Sequence, residues 1–264
     1  MITSLANERV RWVRKLSGDR KARRREGVWI AEGLRLAEEV LRSPVAVRLW
    51  VVEEGLVEAS PRAASVCDAI ERRGHDILAV KRGLLCEIAD TQHPQGVLAV
   101  LDAPRWEPGQ AVAGPGPVVI LDRLQDPGNL GTIARTAEAA GASGLLLTPG
   151  ATDPGNPKAL RASAGSLLRL PVADAKDPIA IVRAAGLQIL AAVRSGGLPY
   201  DRANLTGRFA LLLGQEGAGV APGLARESSG AITIPMEGAV ESLNVAAAAA
   251  VVLFEAARQR RGLR

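Results

Sequence analysis

The sequence predicts an α/β protein of two domains, the second built on a parallel sheet. Three observations predict this class. The 264 residues exceed the length of one small domain. A stretch rich in proline and glycine, Ala103–Pro117, interrupts the chain. Beyond it, apolar runs of strand length alternate with helical stretches, which is typical of parallel strands covered by helices on both faces.

The first predicted domain, residues 1–102, is a smaller α/β domain with a basic start. Arg9–Arg25 contains nine arginines and lysines and one acid, Asp19. Ala31–Leu41 has apolar residues at helical spacing and predicts an amphipathic helix. Three apolar runs predict short buried strands: Val47–Val52, Ile77–Val80 and Val97–Leu101.

Residues 103–117 contain four prolines and three glycines and predict an interdomain linker without a helix or a central strand. The second domain, residues 118–264, follows. Its predicted strands are Val118–Leu121, Gly144–Leu147, Gln188–Val193, Phe209–Leu213 and Ala231–Ile234. Its predicted helices are Leu130–Ala140, Pro178–Ala185 and Leu243–Arg260.

Composition narrows the function classes. The net charge of +5 permits an anionic partner. No apolar run is long enough to span a bilayer and the start lacks the apolar stretch of a secretory signal, so we expect a cytoplasmic protein. Cys67 and Cys86 do not form a disulfide framework or have zinc-ligand spacing. Both histidines fall in the first half, and we expect no metal site.

The first motif follows the strand that opens the second domain. Asp126 can cap a helix that begins near Gly128, and this helix carries Asn129 and Arg135. A polar cluster at the carboxyl end of a strand is where ligands usually bind in an open α/β sheet. Helix capping and a solvated arginine would explain the same residues.

The second motif, Leu211–Val220, joins three leucines of a buried strand to a glycine-rich turn. Its glycines allow the backbone to approach a ligand closely. Glu216 lies just past the strand, where an acid can hold a ribose hydroxyl or a cation. A glycine-rich turn without a ligand is the alternative.

The third motif, Ile232–Val245, begins as a strand that stops at Pro235. Ser242 can cap the last helix, which would explain that serine fully. Asn244 is a poor helix former inside the predicted first turn. We expect it to contact the polar edge of a ligand.

In order and spacing, the three motifs resemble those of the SpoU ribose methyltransferases of the SPOUT superfamily. The match is to D-P-G-N-x-G-x-x-x-R-T-A, L-x-G-x-E-G and I-P-M-x-G-x-x-E-S-L-N-V, and it covers Val118–Gln259. Lys158–Ser166 also resembles a segment of that family. The first domain is similar, more loosely, to the RNA-binding domain of many members, through N-x-x-V-R-W-V-R-K-L and W-I-A-E-G-x-R-L. One departure is Gln215, where the family usually has asparagine.

The resemblance implies a methyltransferase that uses S-adenosylmethionine to modify a ribose 2′-hydroxyl of structured RNA. It also implies a homodimer and a deep trefoil knot in the C-terminal segment. Residues implied to surround the cofactor are Leu213, Gly214, Glu216, Ile234, Ser242, Leu243 and Asn244. Residues implied in the reaction are Arg135, Asn129, Glu216, Ser242 and Asn244.

The family's matching arginine is proposed as the catalytic base, but arginine carries a permanent positive charge in proteins and is a poor proton acceptor. We therefore expect Arg135 to clamp the phosphate and stabilise the developing alkoxide. Glu216 is the alternative proton acceptor, directly or through water. Cations expected to contact RNA are Arg9, Arg11, Arg14, Lys15, Arg23, Arg24, Arg25 and Arg135.

Large-subunit ribosomal RNA is the expected substrate because the first domain resembles that of the ribosome-modifying branch. Transfer RNA, or a non-catalytic RNA-binding protein with a degenerate methyltransferase domain, are the alternatives. Aromatic residues make up 3%, which favours a folded RNA over stacked single strands. A Rossmann-type methyltransferase is rejected because its glycine loop would follow the first strand of the domain.

Overall fold

The computed structural model describes residues 2–262. The chain divides into two compact units. One comprises Met1–Pro104 with Gly155–Leu168, and the other comprises Arg105–Pro154 with Arg169–Arg264. Within residues 2–262, the structure contains no helix with the length and apolar character needed to cross a membrane.

The first unit contains a mixed four-stranded sheet. Its strands are β1 (Val28–Glu32), β2 (Val47–Glu53), β3 (Ile77–Val80) and β4 (Val97–Asp102). The α-helices in residues 2–104 are α1 (Glu8–Gly18), α2 (Arg20–Glu26), α3 (Leu34–Arg42), α4 (Leu56–Ala59) and α5 (Pro61–Arg72). The strand order is β1-β4-β2-β3. β4 pairs antiparallel with both β1 and β2, and β2 pairs parallel with β3.

Helix α1 packs on this sheet through one apolar face. Val10, Val13 and Leu16 are fully buried and share a core with Ile30 of β1 and Val51 of β2. Their spacing of three residues places them along one side of the helix. The basic residues of α1 therefore occupy the opposite, solvent-facing side.

The predicted helix Ala31–Leu41 starts too early. Val28–Glu32 forms β1, and the helix begins only at Leu34. Gly33 separates them with a φ of 95°, which lies outside the helical region and favours glycine. The predicted strands of this unit are confirmed as β2, β3 and β4.

The second half of the chain supplies a seven-stranded sheet. Its strands are β5 (Val118–Leu121), β6 (Gly144–Leu147), β7 (Val172–Asp174), β8 (Gln188–Ala192), β9 (Leu198–Pro199), β10 (Phe209–Leu213) and β11 (Gly230–Thr233). The helices of this half are α6 (Pro108–Ala113), α7 (Pro127–Ala139), α8 (Pro157–Ser163), α9 (Pro178–Ala184), α10 (Pro222–Arg226) and α11 (Val245–Arg261). Helix α8 belongs to the first unit.

The strand order is β7-β6-β5-β10-β8-β11-β9, and each pairing between neighbours is parallel. The predicted parallel sheet is therefore confirmed. Leu121 at the end of β5 lies opposite Leu213 at the end of β10. Because parallel strands end at the same edge, the segments that follow these two strands start side by side.

The stretch predicted to carry no helix contains α6, so that prediction is wrong. Pro108 occupies its first turn. Backbone N–H groups have no acceptor within the helix there, so a proline costs no helical hydrogen bond. Glu107 and Gln110 form a capping box, in which the Glu107 backbone N–H donates to Gln110 Oε1 over 2.8 Å. Ala111 and Val112 are buried in the core of the second unit, and their burial holds this short helix in place.

Candidate active site

A cavity of about 410 Å³ lies past the carboxyl ends of β8, β10 and β11. Four segments line it: residues 192–194 after β8, 213–219 after β10, 232–236 from β11 onward, and 241–252 leading into α11. A parallel sheet places ligand sites at this edge. The size suits a small-molecule ligand.

All seven residues predicted to surround the cofactor line this cavity: Leu213, Gly214, Glu216, Ile234, Ser242, Leu243 and Asn244. Arg194, Met236 and Glu241 also line it and were not predicted. Arg194 follows β8 by two residues, so the rule that ligands bind past strand ends would have identified it. Among the described lining residues, Arg194 is the single basic side chain, and Glu216 and Glu241 are the two acids.

The glycine-rich turn after β10 is a tight hairpin. The Gln215 N–H donates to the Gly219 carbonyl over 3.1 Å, and the Gly219 N–H donates to the Gln215 carbonyl over 2.8 Å. A Cβ at Gly214 would lie 2.0 Å from the carbonyl carbon of Gly219, so only glycine fits there. The hairpin therefore brings bare backbone to the cavity wall.

A chain of side-chain hydrogen bonds joins the three motifs. Asn244 Nδ2 donates to Asn129 Oδ1 over 3.2 Å. Asn129 Nδ2 in turn donates to Glu216 Oε1 over 2.7 Å. These two hydrogen bonds fix the orientation of the Asn129 amide, because the amide oxygen accepts one and the amide nitrogen donates the other. Glu216 is exposed, so its carboxylate remains accessible to a ligand.

Two helix caps position the asparagines. Asp126 caps α7 as predicted, and its Oδ1 accepts from the Asn129 backbone N–H over 2.8 Å. Asn244 caps α11, accepting from the N–H groups of Ala246 and Ala247 over 2.9 and 3.4 Å. The prediction that Ser242 caps this helix is therefore wrong. Asn244 has a φ of −53° and a ψ of 144°, outside the helix, which explains a poor helix former at this position.

The structure does not bring Arg135 into this network. Its side chain projects from α7 into solvent and forms no hydrogen bond or ion pair with another residue of the described range 2–262. Its guanidinium is therefore available to an anionic ligand.

The predicted RNA-contacting cations of the first unit are not all exposed. Arg23 is 4% exposed, and its Nη1 donates to the carbonyls of Leu16 and Ser17 over 2.8 and 3.1 Å. It satisfies the C-terminal carbonyls of α1 instead of facing solvent, so we remove it from the predicted set. Arg9 pairs with Asp76 at the surface. The exposed remainder of the set is Arg11, Arg14, Lys15, Arg24 and Arg25.

Models of known families match both halves of the chain. The SpoU rRNA Methylase family matches residues 116–254, which includes all three motifs. The MRM3-like substrate binding domain matches residues 7–99, which includes the basic helices α1 and α2.

Characterised relatives match over nearly the whole length. The chain is 33% identical over 255 residues to the 23S rRNA (guanosine(2553)-2′-O)-methyltransferase RlmP of Bacillus subtilis, covering 96% of this chain and 97% of that one. An AdoMet-bound rRNA methyltransferase from Sinorhizobium meliloti superposes with a TM-score of 0.84 at 35% identity, over 100% and 98% of the two chains.

The SpoU methyltransferase AviRb from Streptomyces viridochromogenes, solved with AdoMet, gives a TM-score of 0.85 at 30% identity, over 97% of this chain and 98% of that one. The agreement covers both units and the three motifs together, and it confirms the resemblance found in the sequence. The chain belongs to the SpoU rRNA methylase family.

Proposed function

We propose that this chain transfers a methyl group from S-adenosylmethionine to a ribose 2′-hydroxyl of 23S ribosomal RNA. One observation carries the proposal: the residues predicted to hold the cofactor line one cavity, and Asn129 joins two of them, Asn244 and Glu216, by hydrogen bonds. The B. subtilis relative acts on a guanosine 2′-oxygen of 23S rRNA. Because that relative is similar to this chain over both units, we expect this chain to act on the same class of RNA.

The chemistry of the cavity fits S-adenosylmethionine. When bound, this cofactor supplies a methyl group activated by its positively charged sulfonium. Its amino-acid part carries a carboxylate and an ammonium group. Together with the sulfonium, these give the cofactor one negative and two positive charges. The lining has the complementary set, one arginine, Arg194, and two glutamates, Glu216 and Glu241. Apolar residues such as Ile232 and Leu213 supply a surface for the adenine.

Arg135, Asn129 and Glu216 then have distinct roles in the reaction. Arg135 clamps a phosphate of the RNA and stabilises negative charge on the 2′-oxygen, because a guanidinium offers several N–H donors to an anion. Asn129 orients the Glu216 carboxylate, and Glu216 accepts the proton of the hydroxyl, directly or through water. Ser242 and Asn244 contribute to the cavity wall.

The first domain, for which we propose residues 1–102, binds the RNA substrate. Its support is the basic surface of α1 and α2 and the match of residues 7–99 to a substrate-binding domain. Phosphate contacts from these cations would position the RNA without reading its sequence.

We also propose that the protein acts as a homodimer. Val240, Leu243 and Phe254 expose 64%, 40% and 46% of their surface, although they are large and apolar. A second copy that covers them would remove this surface from water. We expect the dimer to work in the cytoplasm, where ribosomal RNA is available to it.

The test is transfer of tritium from labelled S-adenosylmethionine to unmodified 23S rRNA, 16S rRNA and transfer RNA, each in a separate reaction. We expect label in 23S rRNA alone. Arg135→Ala should lower the rate at least about a hundredfold, and it should bind S-adenosylhomocysteine as the wild type does. Label in transfer RNA alone would show that the substrate is transfer RNA and not 23S rRNA. Cofactor binding without transfer to any RNA would favour a non-catalytic RNA-binding protein.

A further inference from the structure

Asp122 is a buried carboxylate at the end of β5 for which the proposed reaction has no use. It is 2% exposed. Thr148 Oγ1 donates to its Oδ1 over 3.2 Å, and the Arg123 guanidinium donates to both oxygens over 3.1 Å. The backbone N–H of Ala221 donates to Oδ2 over 2.8 Å. Burying a carboxylate is costly unless such donors compensate for the lost water.

The backbone around Asp122 is fixed as firmly as its side chain. Its own N–H donates to the Leu213 carbonyl over 2.8 Å. The next residue, Arg123, has a φ of 51°, a left-handed conformation that is strained for a side chain other than glycine. Its N–H donates to Thr148 Oγ1 over 2.9 Å. Such strain persists where the surroundings determine the conformation.

The donor Ala221 directly follows the hairpin that lines the cofactor cavity. The hairpin starts at β10, where strand pairing fixes it, and ends at Ala221, where the Asp122 carboxylate holds it. In its middle, Glu216 is held by Asn129. Both holding residues come from the segment between β5 and the first turn of α7.

We propose that Asp122 is a positioning residue for the cofactor site, acting through the Ala221 N–H to set the hairpin of residues 214–220. This inference rests on the proposed function, since it concerns the same cavity. Asp122 is not among the residues that line the cavity. It keeps the hairpin where the cavity is formed and where Glu216 stays within reach of Asn129.

The test removes the donor and leaves Asp122 in place. Ala221 has a φ of −56°, which fits proline, and Ala221→Pro deletes the N–H and places the ring Cδ against the Asp122 carboxylate, so the bond cannot form. We expect the Kd for S-adenosylhomocysteine, measured by calorimetry, to rise at least about tenfold, because the lost bond is to a buried charge. The stoichiometry should stay near one per chain. Asp122→Ala should give a similar rise, and the double variant should bind no more weakly than the weaker single variant.

Thr148→Val is the matched control, because it removes another donor to the same carboxylate, together with the acceptor of the Arg123 N–H, without touching the hairpin. It should lower the melting temperature while the Kd stays within about twofold of the wild type. Equal weakening by Thr148→Val and Ala221→Pro would show general destabilisation and overturn the proposal, as would unchanged binding by Ala221→Pro. Wild-type protein that binds no S-adenosylhomocysteine would overturn the proposed function itself, and this inference with it.

Discussion

At the residue scale, the site depends on three polar side chains from three distant motifs. Asn129 and Glu216 are 87 positions apart, and Asn129 and Asn244 are 115 positions apart. Each could be named from the sequence, since an amide or acid beside a strand end or a helix start predicts a ligand site. The hydrogen bonds between them could not be predicted, because contacts over such separations depend on the strand order, which no local pattern encodes.

Asn244 has two functions that one substitution can separate. Asn244→Asp keeps an oxygen that caps α11 and removes the Nδ2 donor to Asn129. We expect the melting temperature to stay within about 2 °C of the wild type, while the methylation rate falls about tenfold or more. Asn244→Ala, which loses the cap as well, should lower both quantities. A wild-type rate for Asn244→Asp would show that the Asn129 contact is not needed.

Arg194 provides a second residue-scale prediction, about cofactor charge. If it faces the cofactor carboxylate, Arg194→Met should raise the Kd for S-adenosylhomocysteine about tenfold. Binding of 5′-methylthioadenosine, which lacks the amino-acid part, should change less than about twofold. Arg194 also donates from Nη2 to the Gly217 carbonyl over 2.7 Å. Equal weakening of both ligands in calorimetry would therefore assign Arg194 to the hairpin instead of the carboxylate.

At the element scale, the basic helices α1 and α2 show how a charge run folds. Arg23 and its neighbour Arg24 are alike in sequence, yet Arg23 is buried and Arg24 is exposed. The difference arises because α2 begins only at Arg20, after the Asp19 cap, and this break sets which side of the helix meets α1. The basic composition predicted a charged surface, but it could not show which of the arginines are exposed.

We expect this surface to give RNA binding much of its salt dependence. Replacing Arg11 and Arg14 with glutamine should lower the slope of log K against log salt concentration by about 1–2. Arg72→Gln with Arg73→Gln removes the same charge from the end of α5 and serves as the control. Filter binding to a 23S rRNA fragment, at salt concentrations from about 50 to about 300 mM, measures the slope for each pair of substitutions. Equal slopes for the two pairs would contradict a specific role for α1.

The elements that the sequence missed have identifiable physical causes. The predicted helix includes the last two residues of β1, Ala31 and Glu32, because Ala31 continues the three-residue spacing of apolar positions in α3. The Gly33 φ that separates the strand from the helix is visible only in the backbone. Helix α6 was missed because a proline at the first turn favours a helix while prolines elsewhere in the same stretch oppose one. The five long strands of the second unit were predicted because buried parallel strands are apolar along their whole length.

At the scale of the whole molecule, the sheet order brings the chemistry together. Strands β5 and β10 are neighbours although the chain between them forms four other strands of the same sheet. This adjacency places the Asp122–Asn129 segment beside the hairpin of residues 214–220. The trefoil knot and the homodimer, both implied by the family resemblance, stay predictions.

The central claim is that the methyl group goes to a ribose oxygen of 23S rRNA. The most direct measurement is mass spectrometry of nucleosides from unmodified 23S rRNA incubated with the protein and S-adenosylmethionine. We predict one new 2′-O-methylated nucleoside, absent when Arg135→Ala replaces the wild type. A methyl group on a base, or 23S rRNA left unmodified while transfer RNA gains the 2′-O-methyl group, would contradict the account.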